Sequence, residues 1–83
     1  MIIKVTQKDI NQAKKLCWLN EFIYNENCPI ALAVKRKSHR RVRVGGEMIT
    51  ISGKRRKLPV KAREFISEFD SKCPAIRPIT FKV

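Results

Sequence analysis

Acidic residues are scarce in this chain. Seven of its 83 residues are Asp or Glu against nineteen Lys and Arg, a formal net charge of +12. Such an imbalance excludes a self-neutralising surface and points to an anionic partner. Histidine is nearly absent too. A nucleophile–base pair would have to use His39, which sits beside Arg40 and Arg41 with no acid close by to orient it. The acids Asp9, Glu21, Glu26, Glu47, Glu64, Glu68 and Asp70 are scattered, so a metal-dependent nuclease centre is not indicated. No glycine-rich phosphate loop occurs, because Gly45-Gly46 reads as a hairpin turn. The expectation is a protein that is not an enzyme and carries no catalytic residues, metal or cofactor.

Cysteine is sparse and odd in number. Cys17, Cys28 and Cys73 include no C-x-x-C pair, which excludes a disulfide framework and a zinc ribbon and leaves free, partly buried thiols. A zinc site from Cys17, Cys28, His39 and Cys73 would require long-range convergence that nothing local supports. No run approaches membrane length and the amino terminus lacks an apolar signal region, so no membrane partner and a cytoplasmic location are expected.

The charge that is present is concentrated. From Lys35 to Arg63 there are twelve of the nineteen cations and one acid, Glu47. The segment is patterned like folded chain, since Val42, Val44, Ile49 and Ile51 alternate with polar residues. With 43% apolar residues, the chain is expected to form one domain, residues 1–83, with a thin core.

Ile2, Ile3 and Val5 predict a first strand. Thr6 and Asp9 fit a capping box, opening a helix near Gln7 with Ile10, Ala13, Lys14 and Cys17 on one stripe. That helix either runs on through Leu19, Phe22 and Ile23 to Tyr24 or breaks near Asn20. Asn25-Glu26-Asn27 reads as a loop. Cys28-Pro29 opens a second helix, apolar on every face from Ile30 to Val34, whose last turn carries Lys35, Arg36 and Lys37. Those three cations complement the carbonyl end of the helix dipole as well as offering ligand contacts.

From Arg40 the period changes to two. Val42 and Val44 oppose Arg41 and Arg43, Gly45-Gly46 is the expected hairpin turn, Ile49 and Ile51 return, and Gly53 turns the chain into a third strand over Arg55 to Leu58. The outward face of this meander is expected to show Arg41, Arg43, Thr50, Ser52, Arg55 and Lys57. Ala62, Phe65, Ile66 and Phe69 form the clearest amphipathic helical stripe, and Ile79, Phe81 and Val83 a last strand pairing with the first. The predicted fold class is α+β: an antiparallel sheet of about four or five short strands, made of a terminal strand pair plus a basic meander, packed with two or three helices.

In this order the capped VTQKDI start, the CPIALA segment, the LPVKAREFISEFD helix and the RPITFKV ending resemble a group of small uncharacterised proteins from phages and prophage-bearing bacteria. The resemblance implies a mobile-element accessory protein and carries over no site residues.

The leading expectation is a nucleic-acid-binding protein that contacts the phosphate backbone or duplex shape, DNA or RNA being undecided. It would use Arg41, Arg43, Arg55 and Lys57, flanked by Lys35, Arg36, Lys37, Arg40, Lys54 and Arg56. Trp18, Phe22, Tyr24, Phe65, Phe69 and Phe81 all lie outside Lys35 to Arg63, which argues against base stacking on the basic face. The alternatives are a protein-interaction module or host-protein modulator whose basic face docks onto an acidic protein, and a small structural or ribosome-associated protein. The oligomeric state stays open, an exposed sheet edge being compatible with a strand-paired dimer.

Overall fold

A computed structural model describes residues 1–18, 24–45, 47–73 and 75–83, with Cys17, Tyr24 and Asn25 described in backbone only. The expectations for Leu19 to Ile23 lie outside the described residues.

Ile3 and Val5 alternate with outward-facing Ile2 and Lys4 in β1 (Ile2–Val5), which pairs antiparallel with β5 (Ile79–Lys82), setting Ile3 opposite Phe81. Ile3, Val5 and Phe81 are buried. α1 (Gln7–Cys17) begins at a complete capping box: Asp9 N–H donates to Thr6 Oγ1 at 3.2 Å and Thr6 N–H donates to Asp9 Oδ2 at 2.9 Å. It is helical to Cys17 and capped by Trp18, whose N–H donates to the Lys14 carbonyl.

α3 (Pro29–Ser38) starts as its sequence suggests, with proline in the first turn and the Cys28 thiol as N-cap, accepting from Ala31 N–H at 3.4 Å. Pro29, Ile30, Ala31, Ala33 and Val34 are buried. The segment before it departs from expectation: Tyr24–Asn27 is a helical turn, α2, rather than a loop. Asparagines disfavour helix locally, but α2 packs against α3 and the meander, and the Glu26 carbonyl accepts from Lys35 Nζ. Tertiary contact overrides a weak local preference here.

The meander consists of β2 (Val42–Gly45), β3 (Met48–Ile51) and β4 (Lys54–Lys57) in that spatial order, all antiparallel. Val42, Val44, Ile49 and Ile51 line its buried face. Gly45, expected in the turn, is the last residue of β2 and pairs with Met48; Gly46 lies outside the described residues. At the second turn Ser52 and Gly53 both have positive φ, 50° and 82°, the geometry of a two-residue turn whose twist matches the strands. The third strand starts one residue earlier than expected, at Lys54, and Leu58 follows it, buried, with its N–H donating to the Glu47 carbonyl at 2.8 Å.

α4 (Val60–Asp70) buries Ala62, Phe65 and Phe69, with Ile66 half-buried, and Phe69 meets the Trp18 ring at 5.5 Å between centroids. Past its end, Lys72 is left-handed while Lys72 N–H donates to the Phe69 carbonyl and Cys73 N–H to the Glu68 carbonyl, the bond pair of a Schellman motif. The fold is therefore α+β, the five strands among the described residues divided between a two-stranded and a three-stranded antiparallel sheet. The terminal pair ties β1 to β5 without joining the meander.

Candidate nucleic-acid interface

The ten predicted site residues do not share one surface. Lys35, Arg36 and Lys37 occupy the last turn of α3, and two of them are engaged within the fold. Lys35 is half-buried and bonds the Glu26 carbonyl. Arg36 places Nη1 on the buried Asp9 carboxylate and donates from Nη2 to the Lys4 carbonyl at 2.9 Å, clasping the end of β1, the start of α1 and the end of α3. Lys37 is exposed and opens beside Ile2, Lys4 and Arg36 onto a concavity of about 500 Å³. His39 follows α3 in the left-handed conformation and is exposed.

Arg41 was expected among the outward residues of the first meander strand. It precedes β2, its carbonyl accepts from Ser52 N–H, and its Nη2 lies 3.6 Å from Glu26 Oε1. Glu26 of α2 thus partly neutralises it.

The remaining six cations gather around β4. The register sets Arg43, Thr50 and Arg55 side by side across the three strands and places Lys57 opposite Met48. These residues face away from the core. Arg43, Thr50, Met48 and Arg55 line an open concavity of about 320 Å³ there. Lys54 and Arg56 point to the other side of the same strand. Arg56 pairs with the buried Ile49, but because β4 is the last strand of its sheet its side chain reaches water. Lys54 and Arg56 share a second concavity, about 290 Å³, with Ser38, Arg40 and Ser52. There Arg40 is held locally: its N–H donates to Ser38 Oγ at 3.3 Å and its Nη1 to Ser52 Oγ at 3.5 Å.

All four β4 residues, with Arg40 and Arg43, are exposed. Among the described residues the ion pairs are Arg36–Asp9, Arg41–Glu26 and Arg63–Glu47, so none of these six cations is neutralised by one. The charge there is held open by the fold.

Two cations missed from the sequence belong to the same region. Lys82 and Arg63 line a third concavity, about 610 Å³, together with Arg56, Lys57 and Val60. Lys82 alternates with buried Phe81 on β5, which signals an outward side chain, but its nearness to β4 follows only from how the two sheets are set. Arg63 lies 3.7 Å from Glu47. Among the described residues no group of three His, Cys, Asp or Glu side chains is placed to hold a metal ion, and no helix is long and apolar enough to cross a membrane.

Fold and charge together define a small α+β protein with a doubly cationic edge strand. Comparison of the chain with protein-family models, curated proteins and solved structures gives no match.

Proposed function

We propose that the protein is a nucleic-acid-binding module, not an enzyme, and that it holds its ligand through the phosphate backbone. The observation that carries this is the exposed Lys54-Arg55-Arg56-Lys57 edge, with Arg40 and Arg43 on its two sides and no ion pair among the described residues to offset it. Cations interleaved with small hydroxyl side chains, here Ser38, Thr50 and Ser52, suit phosphate oxygens, which accept from both. The aromatic side chains described are packed inside, with Phe65, Phe69 and Phe81 buried and Trp18 against Phe69. That favours backbone contact over base stacking.

Titration of the protein into labelled nucleic acid across a salt series tests the proposal. If four to six phosphates are engaged, log K falls against log[salt] with a slope of roughly −4 to −5. Absence of binding to any nucleic acid at about 50 mM salt, where such contacts are strong, would overturn it. A partner retained after nuclease treatment would move the assignment to an acidic protein. The phage-like setting implied by the resemblance is compatible with either partner and assigns no chemistry.

A further inference from the structure

On the reading that the chain binds phosphate backbones, we infer that its ligand is B-form duplex DNA gripped edge-on: the free edge of β4 enters the major groove and its two rows of cations face the two phosphate walls. Hydrogen bonding alternates along an antiparallel pair. Leu58 N–H donates to the Glu47 carbonyl, so the bonded pairs between β3 and β4 include Ile49 with Arg56 and Ile51 with Lys54. The main-chain groups of Lys54 and Arg56 are thereby spent on β3, whereas those of Arg55 and Lys57 point away from the sheet. At the opposite edge, β2 packs against α2 and α3. Among the described residues β4 has no strand partner beyond β3, and its edge carries four consecutive cations.

Their side chains alternate, Lys54 and Arg56 to the side of Arg40, and Arg55 and Lys57 to the side of Arg43. A single nucleic-acid strand follows one path of phosphates and satisfies one row, leaving the other row's repulsion in place. A duplex groove has two phosphate walls and satisfies both. A sheet with its side chains is about 10 Å thick and its strands are about 4.8 Å apart. The major groove of B-DNA, about 12 Å wide and 8.5 Å deep, admits a two-stranded ribbon and so has room for β4, whose four residues are exposed on both faces, while β3, with Ile49 and Ile51 buried on one face, stays at the rim. The major groove of A-form RNA is too deep and narrow for this entry.

Binding of the intact protein to one sequence as duplex DNA, single-stranded DNA and duplex RNA, read by fluorescence anisotropy, decides the matter. Duplex DNA should bind at least about tenfold more tightly than either alternative, a difference of 1.4 kcal/mol. Lys54→Gln with Arg56→Gln, and Arg43→Gln with Arg55→Gln, should each lower the magnitude of the salt slope by about 2. Lys8→Gln with Lys15→Gln, exposed cations of α1, should leave it unchanged, and circular dichroism confirms that each variant is folded. Equal affinity for single strands or duplex RNA, or a row whose loss leaves the slope unchanged, overturns edge-on entry while phosphate binding stands. Binding to none of the three overturns the nucleic-acid reading itself and this inference with it.

Discussion

Arg36 and Lys37 are neighbours of the same charge in the same helical turn, yet the fold uses them differently. Asp9 is buried, and its carboxylate is met by Arg36 and by the Thr6 N–H and hydroxyl. Arg36→Ala would leave that carboxylate without its cation in a site that excludes water. Since the guanidinium is itself half-exposed, the cost should be about 1–3 kcal/mol rather than the full penalty of a broken buried pair. Lys37→Ala, with an exposed ammonium, should stay within about 0.5 kcal/mol. Urea denaturation of both variants checks the contrast, and equal stabilities would contradict it. Asp70 gives a second residue-scale prediction. Partial burial at the end of α4 raises its carboxyl pKa above the ordinary value, and an acid at a helix C-terminus is disfavoured by the dipole. A carboxyl whose pKa is raised on folding favours the folded state below its unfolded pKa and loses that advantage as pH rises through the folded value. Asp70→Asn should therefore stabilise the protein at pH 7 by about 0.3–1 kcal/mol, and the gain should vanish at pH 3. Thermal melts at the two pH values measure it.

At the scale of elements, β4 is a free edge kept from pairing by charge. Exposed strand edges invite edge-to-edge association, and lysine or arginine along them prevents it. Arg55→Thr with Lys57→Thr leaves the β4 backbone available and removes the cations beside its outward main-chain groups. The variant should form dimers or larger assemblies at concentrations where the parent does not, as read by light scattering; a monomeric variant would show that another feature protects the edge. The same strand shows the reach and the limit of sequence patterning. Alternation locates β2 and β3 because their inward residues are apolar, whereas β4 contains no apolar residue at all and only Gly53 before it and Leu58 after it mark it in the sequence. Asn25 to Asn27 failed as a loop for the opposite reason: their local preference is real but small, and packing against α3 and β2 outweighs it.

For the molecule as a whole, a net charge of +12 on 83 residues makes self-repulsion part of the folding balance. Stability at this size is on the order of 4–12 kcal/mol, and the Debye length falls from about 30 Å at 0.01 M to 10 Å at 0.1 M salt. The melting temperature should rise with sodium chloride over that range, by roughly 4–8 °C for each kcal/mol of repulsion screened. A flat or falling profile would mean that the exposed cations are too far apart to repel measurably.

The doubly cationic edge itself was only half legible. Composition revealed the charge and period-two spacing assigned its alternation, because a strand's side-chain direction depends on nearest neighbours in the chain. Which cations stay free was not local information. Arg36 meets Asp9 across 27 positions and Lys82 reaches the neighbourhood of Arg56 from a different sheet, and neither separation leaves a mark in the sequence. Helix starts at Thr6 and Cys28, the strand faces, the amphipathic stripe of α4 and the excess of positive charge were all determined by the sequence alone, through short-range sterics, capping bonds and hydrophobic periodicity. The division into two sheets, the pairing of Arg36 with Asp9 and of Arg41 with Glu26, and the exposure of β4 on both sides were decided only by tertiary packing, because each depends on which distant surfaces the burial of one shared core brings together.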